Sequence, residues 1–358
     1  MKRIFSCLAA CATLFALAAC QEKVIEQPME ETPQAPVEYQ DVTFSVSAPS
    51  GTQTKTTYGE TVNFPTELIV AVYIGEGNQY GEAGKYLPDV KQVMTAKSNT
   101  EWEVTLSLVK NYHYDIVFWA QRKENAPYDI DWTTGKITAD YKAAANDITR
   151  DAFYHLCKNY NYLDHEADVE SYKIELKRPF AQINLGASDY SALVELYEFI
   201  GKTDSDLQTR IMTSASVALS VPSVLNVLTG IADTPAAVEF ALAYTTPSNG
   251  SYNLLADEND ITVTGTDASG AQVSKSYKLV GTNYIFANVA KPENPTVDFT
   301  LTFAYNGQSF DLVVPNVPYA RNYQTNILGN YFTSSAKFDV VIVPEFQKPD
   351  EYEQVVRN

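Results

Sequence analysis

The chain has 358 residues, of which 44 are Asp or Glu and 26 are Lys or Arg, for a formal net charge of −18. A surface this acidic repels nucleic acid and anionic headgroups, so DNA and RNA are excluded as partners. Hydrophobic residues make up 45% of the chain, with 24 Tyr and 16 Phe, which is enough to build a sizeable core.

Lys2 and Arg3 precede an apolar run from Ile4 to Leu17, and Leu17-Ala18-Ala19-Cys20 closes it. This reads as an export signal over residues 1–19 ending in a lipobox, with the chain cut before Cys20 and the Cys20 thiol acylated. The apolar run, shorter than about 18 residues, does not make a stable transmembrane helix. Acyl chains contribute about 0.8 kcal/mol per buried CH₂, so a multiply acylated Cys20 tethers the chain to a membrane. An ordinary secretory signal with an incidental Cys20 is the alternative. Loss of residues 1–19 leaves 339 residues, a length for two domains, and a net charge of about −20. Cys7 and Cys11 leave with the signal, so Cys157 is the one free thiol expected and no internal disulfide can form.

Residues 20–40 carry several Glu and Pro and read as a disordered spacer. Val42, Phe44, Val46 and Ala48 then alternate with Asp41, Thr43, Ser45 and Ser47, the period of a half-buried strand. Pro49-Ser50-Gly51 ends it, and residues 51–57 form a Thr-rich loop whose one basic residue is Lys55. Further strands are predicted at Leu68–Ile74, Val90–Ala96, Trp102–Leu108 and Tyr114–Ala120. Such spacing argues an antiparallel sandwich and not βαβ units.

Residues 121–168 are more polar, with a helical turn expected within Ala143–Tyr154. Strands return at Ser171–Leu176 and Phe180–Leu185. Residues 189–200 form the one convincing helix, with Leu193, Leu196, Tyr197 and Ile200 as an apolar stripe. Strands are then expected at Ser214–Val221, Ala237–Leu242, Ile261–Thr264, Val273–Lys278, Tyr284–Val289, Thr296–Tyr305, Gln308–Val314 and Phe338–Phe346. Asn306-Gly307 marks a hairpin. The fold expected is all-β: an N-terminal sandwich over 41–168, a C-terminal sandwich with one short helix over 169–346, and a polar tail over 347–358.

No nucleophile elbow, P-loop, zincin motif or paired cysteines occur, so no catalytic residue, metal site or cofactor is assigned and the chain is expected not to be an enzyme. His155 lies two residues from Cys157, but a small half-buried hydrophobe accounts for that cysteine. His155 and His165 near Asp164, Glu166 and Asp168 have spacing that diagnoses no metal, and Asp257, Asn259 and Asp260 lack the glycine and distal Glu of a calcium loop. Loop aromatics, Tyr128 and Trp132 foremost, can stack on sugars or anchor a host protein; the alternative is that Tyr is simply a good sheet residue.

Four stretches carry a resemblance. They are the lipobox, Tyr114–Ala120 (YDIVFWA), Arg150–Tyr154 (RDAFY) and Leu176–Asn184 (LKRPFAQIN), closed by Val317–Asn330 and the strand after it. In this order the chain resembles fimbrillin-like outer-membrane lipoproteins of Bacteroides and its relatives. The resemblance implies two tandem transthyretin-like sandwiches, a lipid anchor in the outer membrane, surface exposure, and other fimbrial subunits as partners. It further implies proteolytic removal of the first strand and filling of the resulting groove by a C-terminal strand of the next subunit. Here the displaceable strand would carry Val42, Phe44, Val46 and Ala48, and the cut would fall after Lys55. The donor would carry Phe338, Val340, Ile342 and Phe346; an ordinary core strand is the other reading of that segment. A solitary surface lipoprotein binding carbohydrate or a host ligand through Tyr128 and Trp132 is the alternative function.

Overall fold

In the computed structural model of the chain, residues 37–48, 65–78, 81–95, 100–123, 128–141, 150–165, 172–201, 215–240, 260–267, 269–288, 296–305, 308–330 and 338–343 are described. Cys20, Lys55 and Phe346 lie outside them, as do the lipobox, residues 20–36 of the expected spacer and the tail; Tyr39 and Gln40, expected in the spacer, begin the first described strand.

The strands in chain order begin with β1 (Tyr39–Ser47), β2 (Glu67–Ile74), β3 (Gln92–Thr95), β4 (Glu101–Val109), β5 (His113–Gln121) and β6 (Tyr128–Asp131). Next come β7 (Lys136–Ala139), β8 (Phe153–Asn161), β9 (Tyr172–Glu175) and β10 (Phe180–Ala187), then helix α1 (Tyr190–Phe199). The remainder are β11 (Ala215–Asn226), β12 (Ile231–Phe240), β13 (Asp260–Asp267), β14 (Gln272–Phe286), β15 (Thr296–Tyr305), β16 (Gln308–Pro318), β17 (Gln324–Gly329) and β18 (Phe338–Val343). The all-β class expected from the sequence is the class observed, and the described residues from Glu38 onward belong to one compact unit.

Two sheets make the first layer pair. One has the order β4-β1-β9 and the other β3-β2-β5-β8. In β4, Trp102, Val104, Leu106 and Leu108 are buried while Glu101, Glu103, Thr105 and Ser107 face solvent, so this sheet is wet on one side. In β2 and β5 nearly every residue is buried. Leu68, Val70, Val72, Ile116 and Phe118 pack toward β1 and β4. Ile69, Ala71, Tyr73, Val117 and Trp119 pack the opposite way. A layer covered on both faces needs continuous apolar sequence, which is why ELIVAVYI and YDIVFWA show no alternation.

The second core is shared. It joins the outer face of β2 and β5 to residues from β6, β7, β10, β11, β14, β15 and β17. Phe180 stacks on Phe286 at 4.8 Å and on Tyr128 at 5.6 Å, and Trp119 meets Tyr128 edge-on at 5.3 Å. Trp119 belongs to β5, while Tyr128, Phe180 and Phe286 sit on two further sheets: β16-β15-β11-β7-β6, with β12 on β11, and a closed ring β10-β14-β13-β18-β17. Within the ring, Gln182, Asn184, Thr282, Gln324 and Asn326 are all buried. Asn184 Nδ2 donates to Asn326 Oδ1 at 2.9 Å, Thr282 Oγ1 to Asn184 Oδ1 at 2.6 Å and Tyr277 Oη to Asn326 Oδ1 at 2.9 Å. Satisfied this way, a polar ladder specifies one pairing register. Gly186 makes room for it: a Cβ there would meet the Tyr277 ring at 2.2 Å.

Strand β9 pairs with β1 in parallel from Phe44↔Tyr172 to Ser47↔Glu175, and β6 and β7 join β11 through β7. Single elements differ from expectation. Phe153 and Tyr154 begin β8, buried against β5, while residues 142–149, where a helical turn is expected, lie outside the described residues. The strands predicted at Val273–Lys278 and Tyr284–Val289 are one strand, β14. Helix α1 forms where expected, yet Leu196 and Ile200 of its apolar stripe are 52% and 53% exposed, and Phe199 beside them is 89% exposed. Strand β17 and the hairpin β6–β7 were not expected at all.

Candidate functional site

The candidate site is the strand β1 and the groove it fills. Nine pairs, Tyr39↔Val109 to Ser47↔Glu101, bind it antiparallel to β4, and four bind it parallel to β9. It is thus a central strand over its second half, while over Tyr39–Thr43 it has one ladder neighbour. Its ends are tied by Leu176 N–H donating to Ser47 O at 2.8 Å, Ala48 N–H to Thr100 O at 2.9 Å and Lys110 N–H to Glu38 O at 3.0 Å.

Side chains follow the alternation read from the sequence. Phe44, Val46 and Ala48 are buried, Val42 is half-buried, and Asp41 and Ser45 are exposed. The Phe44 ring sits 5.5 Å from Phe118, 5.6 Å from Tyr160 and 5.8 Å from Tyr172, ring centre to centre. Tyr160 and Tyr172 meet edge-on at 5.6 Å. Burial pushes the Tyr160 hydroxyl up to about 12. Burying Phe44 or Val46 contributes about 1.5–3 kcal/mol each. Loss of β1 would leave the β4 and β9 ladders unpartnered and uncover this aromatic floor. An open groove of that kind invites another strand.

Sequence reasoning found β1 but missed the pocket. Tyr160 and Tyr172 come from β8 and β9, and nothing local to either announces a contact with Phe44 more than 100 residues away.

At the other end of the chain, β18 pairs with β17 over six positions, Gly329↔Phe338 to Gln324↔Val343, and with β13 only at Thr266↔Ile342 and Asp267↔Val341. Phe338, Val340 and Ile342 are therefore on a strand docked within its own chain.

Tyr128 and Trp132 are corrected. They are 6% and 9% exposed and belong to the shared core, because β6 and β7 fold beneath β2 and β5. The Tyr128 hydroxyl donates to Arg150 O, and Trp132 O accepts from the Tyr73 hydroxyl at 2.8 Å. Neither ring presents a face to a sugar.

Nor does Cys157 suit nucleophilic chemistry. Burial, aided by the nearby Asp115 carboxylate, pushes its thiol up to about 11, away from the thiolate a nucleophile needs. His155 is held below its ordinary value, chiefly by burial. Among the described residues no group of three or more His, Cys, Asp or Glu side chains gathers as a metal site. Among them, too, no helix is long and apolar enough to cross a membrane.

The arrangement defines a β-sheet protein whose distinctive feature is a strand lodged in an aromatic-floored groove. The chain belongs to the family of unknown function DUF6562, which matches residues 33–357. No curated protein matches it. Among solved structures it is similar to the C-terminally truncated tip fimbrial protein Mfa3 of Porphyromonas gingivalis, at 9% identity and a TM-score of 0.42, over 85% of this chain and 99% of that one. A fimbrial assembly protein of Parabacteroides distasonis is similar at 10% identity and 0.40, over 85% and 96%. A fimbrial protein of Bacteroides vulgatus is similar at 11% identity and 0.41, over 84% and 98%.

Proposed function

We propose that the chain is a lipid-anchored, non-enzymatic subunit of a surface fimbria of the fimbrillin-like kind, assembling by strand exchange. The observation that carries this reading is the placement of β1. It is the first strand among the described residues, it lies between β4 and β9, and its one buried aromatic side chain, Phe44, fills a pocket built by Phe118, Tyr160 and Tyr172. A cut after Lys55 would detach it from β2 while leaving the rest of the chain whole. The opened groove would then offer two ladder edges and an apolar floor, and a strand from a neighbouring subunit satisfies both. The segment FDVVIVPEF over residues 338–346, which begins with strand β18, is the donor in this scheme. Its partners are other fimbrial subunits, and acylated Cys20 holds the precursor to the outer membrane.

The test treats the purified mature chain with a trypsin-like protease and reads a denaturing gel without boiling. Ladders that disappear when residues 338–358 are deleted support the proposal; a persistent monomer after complete cutting at Lys55 contradicts it. The alternative of a carbohydrate- or host-binding lipoprotein loses its two assigned rings with the burial of Tyr128 and Trp132.

A further inference from the structure

The aromatic pocket does more than bury Phe44; it discriminates among strands. Three rings at 5.5–5.8 Å surround one position of the groove, and the next buried position along β1 is occupied by the smaller Val46. A strand entering the groove therefore needs an aromatic side chain followed two residues later by a compact β-branched one. Shifting by one residue would turn the aromatic side chain to solvent, and shifting by two would leave a smaller side chain in the pocket.

Strand β18 carries this pattern. Phe338-Asp339-Val340 repeats the order Phe44-Ser45-Val46, with an aromatic, a short polar and a valine. Over Phe338–Val340, β18 has only β17 as a ladder neighbour, so this part is the least held by its own chain. Direction follows as well. Running as β1 does, antiparallel to β4, β18 places Phe338 at the Phe44 position, Val340 at Val46 and Ile342 at Ala48. Running the opposite way with Phe338 in the pocket, it would place Ala336 and Ser334 at the positions of Val46 and Ala48, and would bury far less apolar surface.

We infer that the Phe118–Tyr160–Tyr172 pocket sets the register of exchange, and that its occupant is Phe338 from a second copy of this chain, inserted in the direction of β1. The inference rests on the exchange reading above and adds the residue, the direction and the register to it.

Ser45 and Glu103 are outward-facing register partners. In the inferred complex Asp339 replaces Ser45, so Asp339 of one copy faces Glu103 of another, within the reach of a disulfide. Two mature chains, both carrying Cys157→Ser, one with Glu103→Cys and the other with Asp339→Cys, are mixed during protease-driven assembly and run unreduced. The expected result is a cross-linked pair, with none when Val341→Cys replaces Asp339→Cys. Separately, Phe338→Ala should lower ladder yield about tenfold or more, while Phe338→Tyr retains it. Ladders that form with the cross-link at Val341→Cys, or with undiminished yield for Phe338→Ala, overturn the register alone. Wild-type chain that gives no ladder overturns exchange, and the register falls with it. The cross-link leaves Phe338 unchanged, so a folding defect of Phe338→Ala does not decide the matter.

Discussion

Asp151 and Arg178 form a salt bridge sealed from solvent, each side chain 1% exposed, with Arg178 Nε donating to Asp151 Oδ1 at 2.6 Å and a second guanidinium N–H donating to Oδ2. The Arg178 guanidinium also lies 4.5 Å from the centre of the Phe153 ring. The two residues follow β7 and β9 respectively, so the pair staples the segment entering β8 to the segment leaving β9. Tyr154 and Lys177 reinforce this with reciprocal backbone hydrogen bonds of 2.9 and 3.1 Å.

Removing one partner of such a pair strands the other as an uncompensated buried charge. Asp151→Ala should therefore cost about 3–5 kcal/mol in urea unfolding, far more than a surface pair. Asp151→Ala/Arg178→Met together should cost less than Asp151→Ala alone. A double variant as unstable as the sum of the singles would show that the charges are not coupled.

Phe44→Ala empties the aromatic pocket and should destabilise the uncut chain by about 3–5 kcal/mol, measured by denaturant midpoint at unchanged m-value. Ser45→Ala, on the exposed face of the same strand, should stay within about 0.5 kcal/mol. Equal effects at both positions would mean that β1 is not seated as described.

Cys157 supplies a pH prediction. Its folded thiol is pushed up to about 11, above its unfolded value, mainly by burial. The folded chain therefore holds that proton to higher pH than the unfolded chain does. The associated stability is fully present below about pH 8.5, where a free thiol titrates, and is lost as pH rises toward 11. Cys157→Ala should flatten the fall in thermal midpoint between pH 8.5 and 11. Alkylation at pH 8 should be slow in native protein and fast in urea; rapid native labelling would contradict the burial.

What was legible in the sequence is what alternates. Strands β1 and β4 each have one wet face and read directly as strands, and the helix at α1 announced itself by its spacing. Strands β2 and β5 read as apolar runs, but their covering on both faces could not be known before the sheets beneath them were seen. Strand β17 escaped because Gln324 and Asn326 occupy buried positions, where the hydrogen-bonded ladder with Gln182, Asn184 and Thr282 replaces apolar packing and erases the period. Strand β8 escaped because its register shifts opposite Tyr114 and Ile116. Tyr128 and Trp132 look like loop residues in a polar stretch; only the hairpin they belong to carries them under the sheet. The aromatic pocket was invisible because its walls come from three strands distant in sequence.

Cys20→Ser should release the protein from membranes and abolish metabolic palmitate labelling. Labelling that persists in this variant would refute the lipobox reading.

The most direct measurement is the N-terminal sequence and mass of polymer extracted from the cell surface. If β1 is the strand given up during assembly, polymerised subunits begin at Thr56 and lack residues 20–55. Polymer whose subunits all retain Val42–Ala48 would contradict the account.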